Sequence, residues 1–277
     1  MSVTATSSRF GERRIGGREV PAASGRTTDD PYPVAGGMYV TDPVAGLADV
    51  RAAVDAAQAA FPGWAATEAA TRRSLLVGAA DLLERHTEAL AGILRQETEG
   101  SRAWAEFNIR LAAGQLRQGA AMATRPVAGL LATSVNRGVA TAIRQPAGVV
   151  VSFVPWNGSM VLCARAIAVA LAVGNTVLIR PSAAPVTSGL ILAEVLAEAG
   201  APTGVVNVVT ADRAEASAVV EALITDPRVR RLTFTGSTGF RRVVGRTAGE
   251  RVRPIVTGSD SGSAVLAPEP AGVGAAR

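Results

Sequence analysis

The sequence has only one cysteine, Cys163, and one histidine, His86, in 277 residues. A single cysteine excludes an internal disulfide framework and is typical of a protein kept in a reducing compartment. Cys163 lies in an apolar segment, where a free cysteine usually behaves as a small buried hydrophobe, and His86 lies in the polar segment LLERHTEAL. We therefore expect neither side chain to take part in nucleophilic catalysis.

Lysine is absent, so all 28 cationic side chains are arginine, and the formal net charge is +5. A genome-wide codon preference explains this composition, because most of the arginines are scattered along the chain. Aromatic residues make up only 4% of the sequence, and no basic stripe is interleaved with aromatic side chains. We expect no nucleic-acid partner.

The sequence has no apolar run of the roughly 18 residues that a membrane-spanning helix requires. The first residues, MSVTATSSRF, also lack the apolar core of a signal peptide. With 48% hydrophobic residues, the chain is long enough for one or two domains with a sizeable core. These features predict a cytoplasmic protein without a membrane partner.

Residues 49–119 are predicted to form helices, because their apolar residues recur at helical spacing. The Pro62-Gly63 pair is expected to end the first of them. Alternating segments between residues 127 and 145 flank Asn136 and Gly138, which tolerate positive φ, and this pattern predicts a β-hairpin.

From Ala147 onward, strand and helix patterns alternate. GVVVSFV is a continuous apolar run, as a parallel strand buried on both faces requires, and NTVLIR, VVNVVT and RRLTFTG repeat the pattern. The predicted fold is α/β, with a doubly wound parallel sheet over residues 147–277 and a helical region with the hairpin over residues 1–146. The two parts are expected to form one compact cofactor-binding domain. The loops at the carboxyl ends of the strands would share one edge and form the ligand crevice.

Five segments occur in the order and spacing of a known family. They are IGGREVPAASGRT, the helical stretch from DVRAAVDAAQ to LRQETEG, GVVVSFVPWNGSMVLCARAIAVALAVGNTVLIRPS, EAGAPTGVVNVVTADRAEA and RRLTFTGSTGF. Together they resemble slightly more than the first half of an aldehyde dehydrogenase, of the branch that oxidises benzaldehyde-, vanillin- or salicylaldehyde-like substrates. The resemblance implies a Rossmann-like nucleotide-binding fold with the hairpin as an oligomerisation arm. It also implies that the chain ends before the catalytic domain and its cysteine.

The first candidate loop follows GVVVSFV. It contains Phe153, Val154, Pro155 and Trp156 as candidate cofactor contacts, and Asn157. A fixed side-chain amide suits an oxyanion hole, and the resemblance implies that role for Asn157. An asparagine before a glycine is also ordinary turn chemistry, so both interpretations stay open.

The second loop contains the candidate cofactor contacts Arg180, Ser182 and Ala183. The resemblance implies that a lysine and a glutamate grip the adenosine ribose here, but this sequence has Arg180 and Ala183 in their places. Without that carboxylate a 2′-phosphate is no longer repelled, and a guanidinium forms charge-assisted bonds to phosphate. The expected cofactor is NADP or NAD, with NADP favoured. Codon preference also explains Arg180, but it does not explain Ala183, because the sequence uses glutamate freely.

The third loop precedes a predicted helix and contains Phe234, Gly236, Ser237 and Phe240. Free backbone N–H groups at such a helix start bind pyrophosphate, so these four residues are candidate cofactor contacts. The resemblance places a second glycine where this sequence has Arg241, which either narrows the loop or contacts phosphate.

The segment PIVTGSDSG stands where the resemblance implies a Glu-Leu-Gly-Gly-Lys run that carries the general base. Thr257 occupies the glutamate position, and shifting the alignment by one residue supplies no glutamate. Threonine is not a general base near neutral pH. Asp260, the carboxylate of this segment, is a candidate for a displaced base or else a turn residue. No metal site is expected.

Three hypotheses about function follow. The chain is a nucleotide-binding pseudo-enzyme or partner subunit, an NAD(P)-dependent oxidoreductase or non-redox enzyme that uses the vacated cleft, or a decayed fragment. Decay is the least favoured, because the matching segments are intact. The expected partners are the nucleotide, a small aromatic aldehyde-like ligand, and a second copy of the chain or a separately encoded protein.

Overall fold

The computed structural model describes residues 13–23, 25, 27–31, 39–43, 45–98, 100–125, 128–131, 140–181, 187–211 and 215–259. The strands in these ranges are β1 Arg13–Ile15, β2 Arg18–Val20, β3 Thr27–Pro31, β4 Tyr39–Pro43, β5 Ala128–Leu131, β6 Ala140–Ile143, β7 Val149–Val154, β8 Thr176–Pro181, β9 Val206–Val208, β10 Val229–Gly236 and β11 Ile255–Ser259. The helices are α1 Leu47–Ala66, α2 Ala69–Arg85, α3 Thr87–Thr98, α4 Arg102–Ala123, α5 Ser159–Ala172, α6 Thr187–Glu198, α7 Ala216–Thr225 and α8 Thr238–Glu250.

The first helix continues through Pro62 to Ala66, so the prediction that Pro62-Gly63 ends it was wrong. A proline inside a helix removes one backbone hydrogen bond and costs about 3 kcal/mol. Tertiary packing holds the last turn nevertheless, because Trp64 is buried in the core with 2% of its surface exposed. Burial of one large side chain therefore overrides the local signal.

Strands β5 and β6 pair in antiparallel register. This pairing confirms the hairpin predicted for residues 127–145. The turn with Asn136 and Gly138 lies outside the described residues.

The main sheet has seven strands in the order β11-β10-β7-β8-β9-β1-β2. Neighbours among β7 to β11 are parallel, which confirms the doubly wound α/β prediction for this part. The sheet is mixed, however, because β1 joins β9 in antiparallel register and β2 extends it. The two antiparallel strands come from residues 13–20, outside the segment for which the parallel sheet was predicted. The positive φ angles of Gly16 and Gly17 allow a tight turn, and the Gly16 amide donates to Asn207 Oδ1 of β9 at 2.9 Å.

The two faces of the sheet pack against different helices. On one face, Val150 and Val154 belong to a core shared with α2, α4, α5 and α6. On the other face, Val149, Val151 and Phe153 belong to a core shared with α1, α7 and α8. Because every residue of β7 and β8 is buried, the apolar runs seen in the sequence are those of a sheet covered on both sides.

In the described part of the chain, no helix is long and apolar enough to cross a membrane.

Candidate functional site

The order of the strands reverses between β7 and β10. From β7 the chain moves to β8 and β9 on one side, and then crosses to β10 on the other side. In doubly wound folds, ligands bind outside the carboxyl ends of the strands at such a switch point. The residues that end β7, β8 and β10 are therefore the candidate ligand contacts.

Four of the predicted site residues form a row across this edge. Arg180 of β8 pairs with Phe153 of β7, which pairs with Phe234 of β10. Phe234 in turn pairs with Thr257 of β11. Because paired residues of neighbouring strands lie on the same face, the row lies on the face packed against α1, α7 and α8.

Arg180 is buried, and the described residues supply no anionic partner for it. Only 6% of its surface is exposed, its Nε has no hydrogen-bond partner, and it forms no salt bridge within the described residues. Arg72 is also buried, but its Nε donates to the carbonyl oxygen of Ala172 at 2.9 Å and its Nη1 donates to that of Thr67. Burial lowers the pKa of Arg180 to about 10, because desolvation penalises the charged form. An incoming anion would satisfy this guanidinium.

Aromatic rings form a wall beside this guanidinium. The ring centroids of Phe153 and Phe234 lie 6.5 Å apart, and those of Phe234 and Phe240 lie 5.9 Å apart. A Cβ atom at Gly236 would stand 2.9 Å from Cζ of Phe234, so the wall leaves room for glycine only. The structure thus brings three of the predicted phenylalanines to one place.

The N-terminus of α8 lies directly after this wall. Ser237 is its N-cap, and Ser237 Oγ accepts a hydrogen bond from the amide of Phe240 at 3.4 Å. The first-turn amides of Thr238 and Gly239 have no partner within the helix, and the space beside Gly239 is open. Arg241 follows in the same turn and is half-buried. This end of α8 can therefore present N–H groups to phosphate.

A second pocket lies at the turn between β7 and α5. It has a volume of about 590 Å³ and is lined by Asn157, Trp156 and Trp104, among others. Asn157 and Trp156 are exposed, so the Asn157 amide is accessible to a ligand. The turn depends on Gly158, which has a φ of 64° and packs against Asn108 Oδ1.

The residues expected to matter for acyl chemistry are not arranged for it. Cys163 is completely buried within α5, and Thr257 is exposed on β11.

Of the candidate cofactor contacts, Val154 and Pro155 are buried at the end of β7. The three remaining candidates lie outside the described residues: Ser182, Ala183 and Asp260.

Trp104 was not among the site residues predicted from the sequence. It lies in the first turn of α4, where the apolar pattern predicts a core position, yet it is only partly buried and lines the Asn157 pocket. A contact between α4 and the β7–α5 turn depends on the tertiary fold, so the local sequence pattern does not indicate it.

A family model described as the aldehyde dehydrogenase family matches residues 20–270. The chain belongs to the aldehyde dehydrogenase family. A vanillin dehydrogenase from Pseudomonas sp. (strain HR199 / DSM 7063) is 42% identical over 243 residues, which is 87% of this chain and 50% of that protein. These matches confirm the resemblance inferred from the five sequence segments.

Two solved structures extend the comparison. A salicylaldehyde dehydrogenase from Pseudomonas putida G7, complexed with salicylaldehyde, has a TM-score of 0.85 and 30% identity, covering 90% of this chain and 52% of that one. An NAD-dependent aldehyde dehydrogenase from Sinorhizobium meliloti has a TM-score of 0.83 and 32% identity, covering 90% and 50%. The fold is therefore the Rossmann-type NAD(P)-binding fold of this family, and the chain spans about half the length of the relatives it matches.

Proposed function

We propose that this chain binds a nicotinamide dinucleotide at the carboxyl edge of its sheet, prefers NADP to NAD, and does not itself oxidise aldehydes. The observation that carries the proposal is Arg180, a buried cation at the switch point of the sheet for which the described part of the chain supplies no anionic partner. A nucleotide phosphate supplies the missing charge and two or more acceptor oxygens.

The residues at this edge fit a dinucleotide. The free amides at the start of α8 suit a pyrophosphate, and the open space beside Gly239 allows close approach of the backbone. Phe153 and Phe234 supply an apolar wall. Bound nucleotide would supply or accept a hydride, while the protein residues bind and orient it.

The preference for NADP is proposed from this chain's own residues, because the relative from Sinorhizobium meliloti is NAD-dependent. Arg180 can pair with a 2′-phosphate. Alanine at position 183 removes the carboxylate that would accept the ribose 2′-hydroxyl and repel that phosphate.

Replacing Ala183 with glutamate should reverse the preference. We expect NADP affinity to fall by about tenfold or more and NAD affinity to rise, because the carboxylate repels a phosphate and accepts from hydroxyls. Fluorescence titration with each nucleotide measures both affinities. The matched control is Ala183→Gln, which has nearly the same shape without the charge and should keep NADP ahead. If both variants weaken the binding of both nucleotides equally, the charge of residue 183 does not decide the preference.

The Asn157 pocket supports a second ligand beside the nucleotide. Two tryptophan side chains and an accessible amide suit a small aromatic aldehyde-like molecule, with the rings packing and the amide donating to the carbonyl oxygen. Such a pocket keeps binding possible without the acyl chemistry.

No aldehyde should be oxidised by this chain. Cys163 is inaccessible and Thr257 cannot activate water, so among the described residues these two positions supply no group for forming or hydrolysing a thioester. The assay follows formation of reduced nicotinamide from benzaldehyde with NADP or NAD, with a vanillin dehydrogenase as positive control. Turnover that disappears in Cys163→Ala would refute this part of the proposal.

Altered chemistry is the second candidate function, and the accessible Asn157 pocket favours it. Bound NADPH would supply the hydride, and solvent one proton, for reduction of an aldehyde to an alcohol, a reaction that needs no thiol, while the Asn157 amide would hold the carbonyl oxygen. The same assay run in reverse, with NADPH and benzaldehyde, distinguishes the two candidates. Loss of NADPH that depends on Asn157 favours the enzyme, and its absence favours a pseudo-enzyme or partner subunit.

We propose a homodimer as the assembly, with a separately encoded partner as the alternative, and light scattering of the purified chain tests this.

A further inference from the structure

A groove separate from the Asn157 pocket lies between α5 and the strands β10 and β11. Its volume is about 890 Å³, within the range of small-molecule sites. One wall is the outer face of α5, with Ala166, Val169 and Ala170, and the opposite wall includes Val256 of β11. We call this the α5 groove. It shares no lining residue with the Asn157 pocket.

Most of the groove lies on the α5 face of the sheet, but Phe234 and Thr257, two residues of the row described above, also line it. Val150 of β7 belongs to the core shared with α5, and Thr233 lies on the same face because it pairs with Ser152, two residues further along β7. Phe153 and Phe234 belong to the core on the opposite face. A ligand in the α5 groove would therefore adjoin the row without reaching Arg180 or Phe153, which do not line the groove.

A β-bulge in β10 directs Arg231 into this groove. Val229 pairs with Val149, but Arg231 and not Arg230 pairs with Val150, so two residues of β10 oppose one step of β7. Without the bulge, Arg231 would face the buried core on the other side of the sheet. Bulges commonly re-aim a side chain in this way beside functional sites.

The charges around the groove are of one sign. Its described lining residues include four arginines and no carboxylate. Arg72 uses its Nε and Nη1 on backbone carbonyls, and Arg165 Nη2 donates to Thr235 Oγ1 at 3.4 Å. Arg144 and Arg231 are exposed and form no salt bridge within the described residues. Two free guanidinium groups thus stand at the edge of an apolar surface.

The apolar surface is open to solvent. Val169 of α5 is 46% exposed and Val256 of β11 is 67% exposed. The residues of β7, by contrast, are buried. Burial of such a surface by a flat apolar ligand is favourable by about 25 cal/mol per Å². A ligand that also carries a negative charge matches the arginines.

We propose that the α5 groove binds an aromatic carboxylate of one or two rings. The ring lies on Ala166, Val169 and Ala170, and the carboxylate accepts hydrogen bonds from Arg231 and Arg144. The volume, the apolar wall, the bulge and the unopposed positive charge all favour this class of ligand over a neutral or cationic one.

The test uses 2-naphthoate as the probe and neutral 2-naphthamide as its matched control. Isothermal titration calorimetry of the whole chain should give saturable binding of 2-naphthoate and at least about tenfold weaker binding of 2-naphthamide. Arg231→Gln should weaken naphthoate binding by about tenfold. Arg230→Gln removes the same charge from the neighbouring exposed position of β10 outside the groove and should leave binding unchanged.

A second pair of variants tests the position of the ring. Val169→Glu places a carboxylate on the wall of the groove and should abolish binding of 2-naphthoate, whereas Val243→Glu, on the exposed surface of α8, should not. Circular dichroism confirms that each variant is folded. Two results would overturn the proposal: no saturable binding of naphthoate at about 1 mM, or equal effects of the two arginine variants. If naphthoate fails to bind because a protein partner covers the groove, that result also overturns the proposal.

Discussion

Replacing Arg180 with methionine should raise the free energy of unfolding of the nucleotide-free protein by about 1 to 3 kcal/mol. Burial lowers the pKa of this guanidinium from its ordinary value to about 10, a shift that corresponds to roughly 3 kcal/mol of unfavourable desolvation. Methionine has a similar length and no charge, so it fills the same space without that cost. Urea unfolding at neutral pH measures the gain.

The same substitution should weaken NADP binding by about ten- to a hundredfold and leave NAD nearly unchanged, because only NADP carries the 2′-phosphate. Arg230→Met is the matched control, since Arg230 is exposed on β10. It should change stability by less than about 0.5 kcal/mol and neither affinity. If Arg180→Met lowers the free energy of unfolding, or weakens the binding of both nucleotides equally, Arg180 contributes to packing and does not bind phosphate.

The sign of the pH dependence follows from the same shift. Burial lowers the pKa of Arg180 in the folded chain to about 10, so the unfolded chain keeps this proton to a higher pH than the folded chain does. Between the pKa values of the two states the unfolded state binds more protons, so the contribution of Arg180 to stability rises with pH. Below pH 10 the Arg180 guanidinium is charged in both the folded and the unfolded state, so the full desolvation penalty on the folded state is present. The gain from Arg180→Met should therefore be constant across the neutral range.

Replacing Gly119 with alanine should destabilise the fold by about 3 kcal/mol or more. A Cβ atom at Gly119 would stand 2.6 Å from Cβ of Ala168 and 2.7 Å from its carbonyl carbon, so α4 and α5 would have to separate. Neither helix can relieve this by a side-chain rotation, because the contact is with backbone. Since α5 begins directly after the Asn157 turn, we also expect weaker ligand binding in that pocket.

Gly114→Ala is the matched control for this substitution. Gly114 lies in the same helix, and a Cβ atom there meets nothing within 4 Å. It should stabilise the protein by about 0.5 to 1 kcal/mol through helix propensity alone. Thermal unfolding of the two variants should therefore move in opposite directions, and a common direction would show that the α4–α5 contact is looser than the structure indicates.

The strands of the doubly wound sheet could be predicted from the sequence because burial on both faces leaves continuous apolar runs in β7 and β8. The hairpin β5–β6 could be predicted from alternation around turn residues. The hairpin β1–β2 could not, because strands of three residues are too short to show a period. The helix through Pro62 was mispredicted because the burial of Trp64 depends on tertiary packing.

The candidate site shows the same division. The residues of the strand ends could be selected in advance, since topology brings them to one edge, and the register then placed Arg180, Phe153, Phe234 and Thr257 in one row. The isolation of Arg180 could not be predicted, because the sequence does not show which carboxylates lie nearby. Trp104 and the bulge that aims Arg231 depend on contacts between distant segments and left no local pattern.

The most direct test of the central claim is calorimetric titration of the unmodified chain with NADP and with NAD at the same ionic strength. We expect both nucleotides to bind, and NADP to bind at least about tenfold more tightly, because its 2′-phosphate pairs with Arg180. The claim is contradicted if neither nucleotide binds at about 1 mM, or if NAD binds as tightly as NADP.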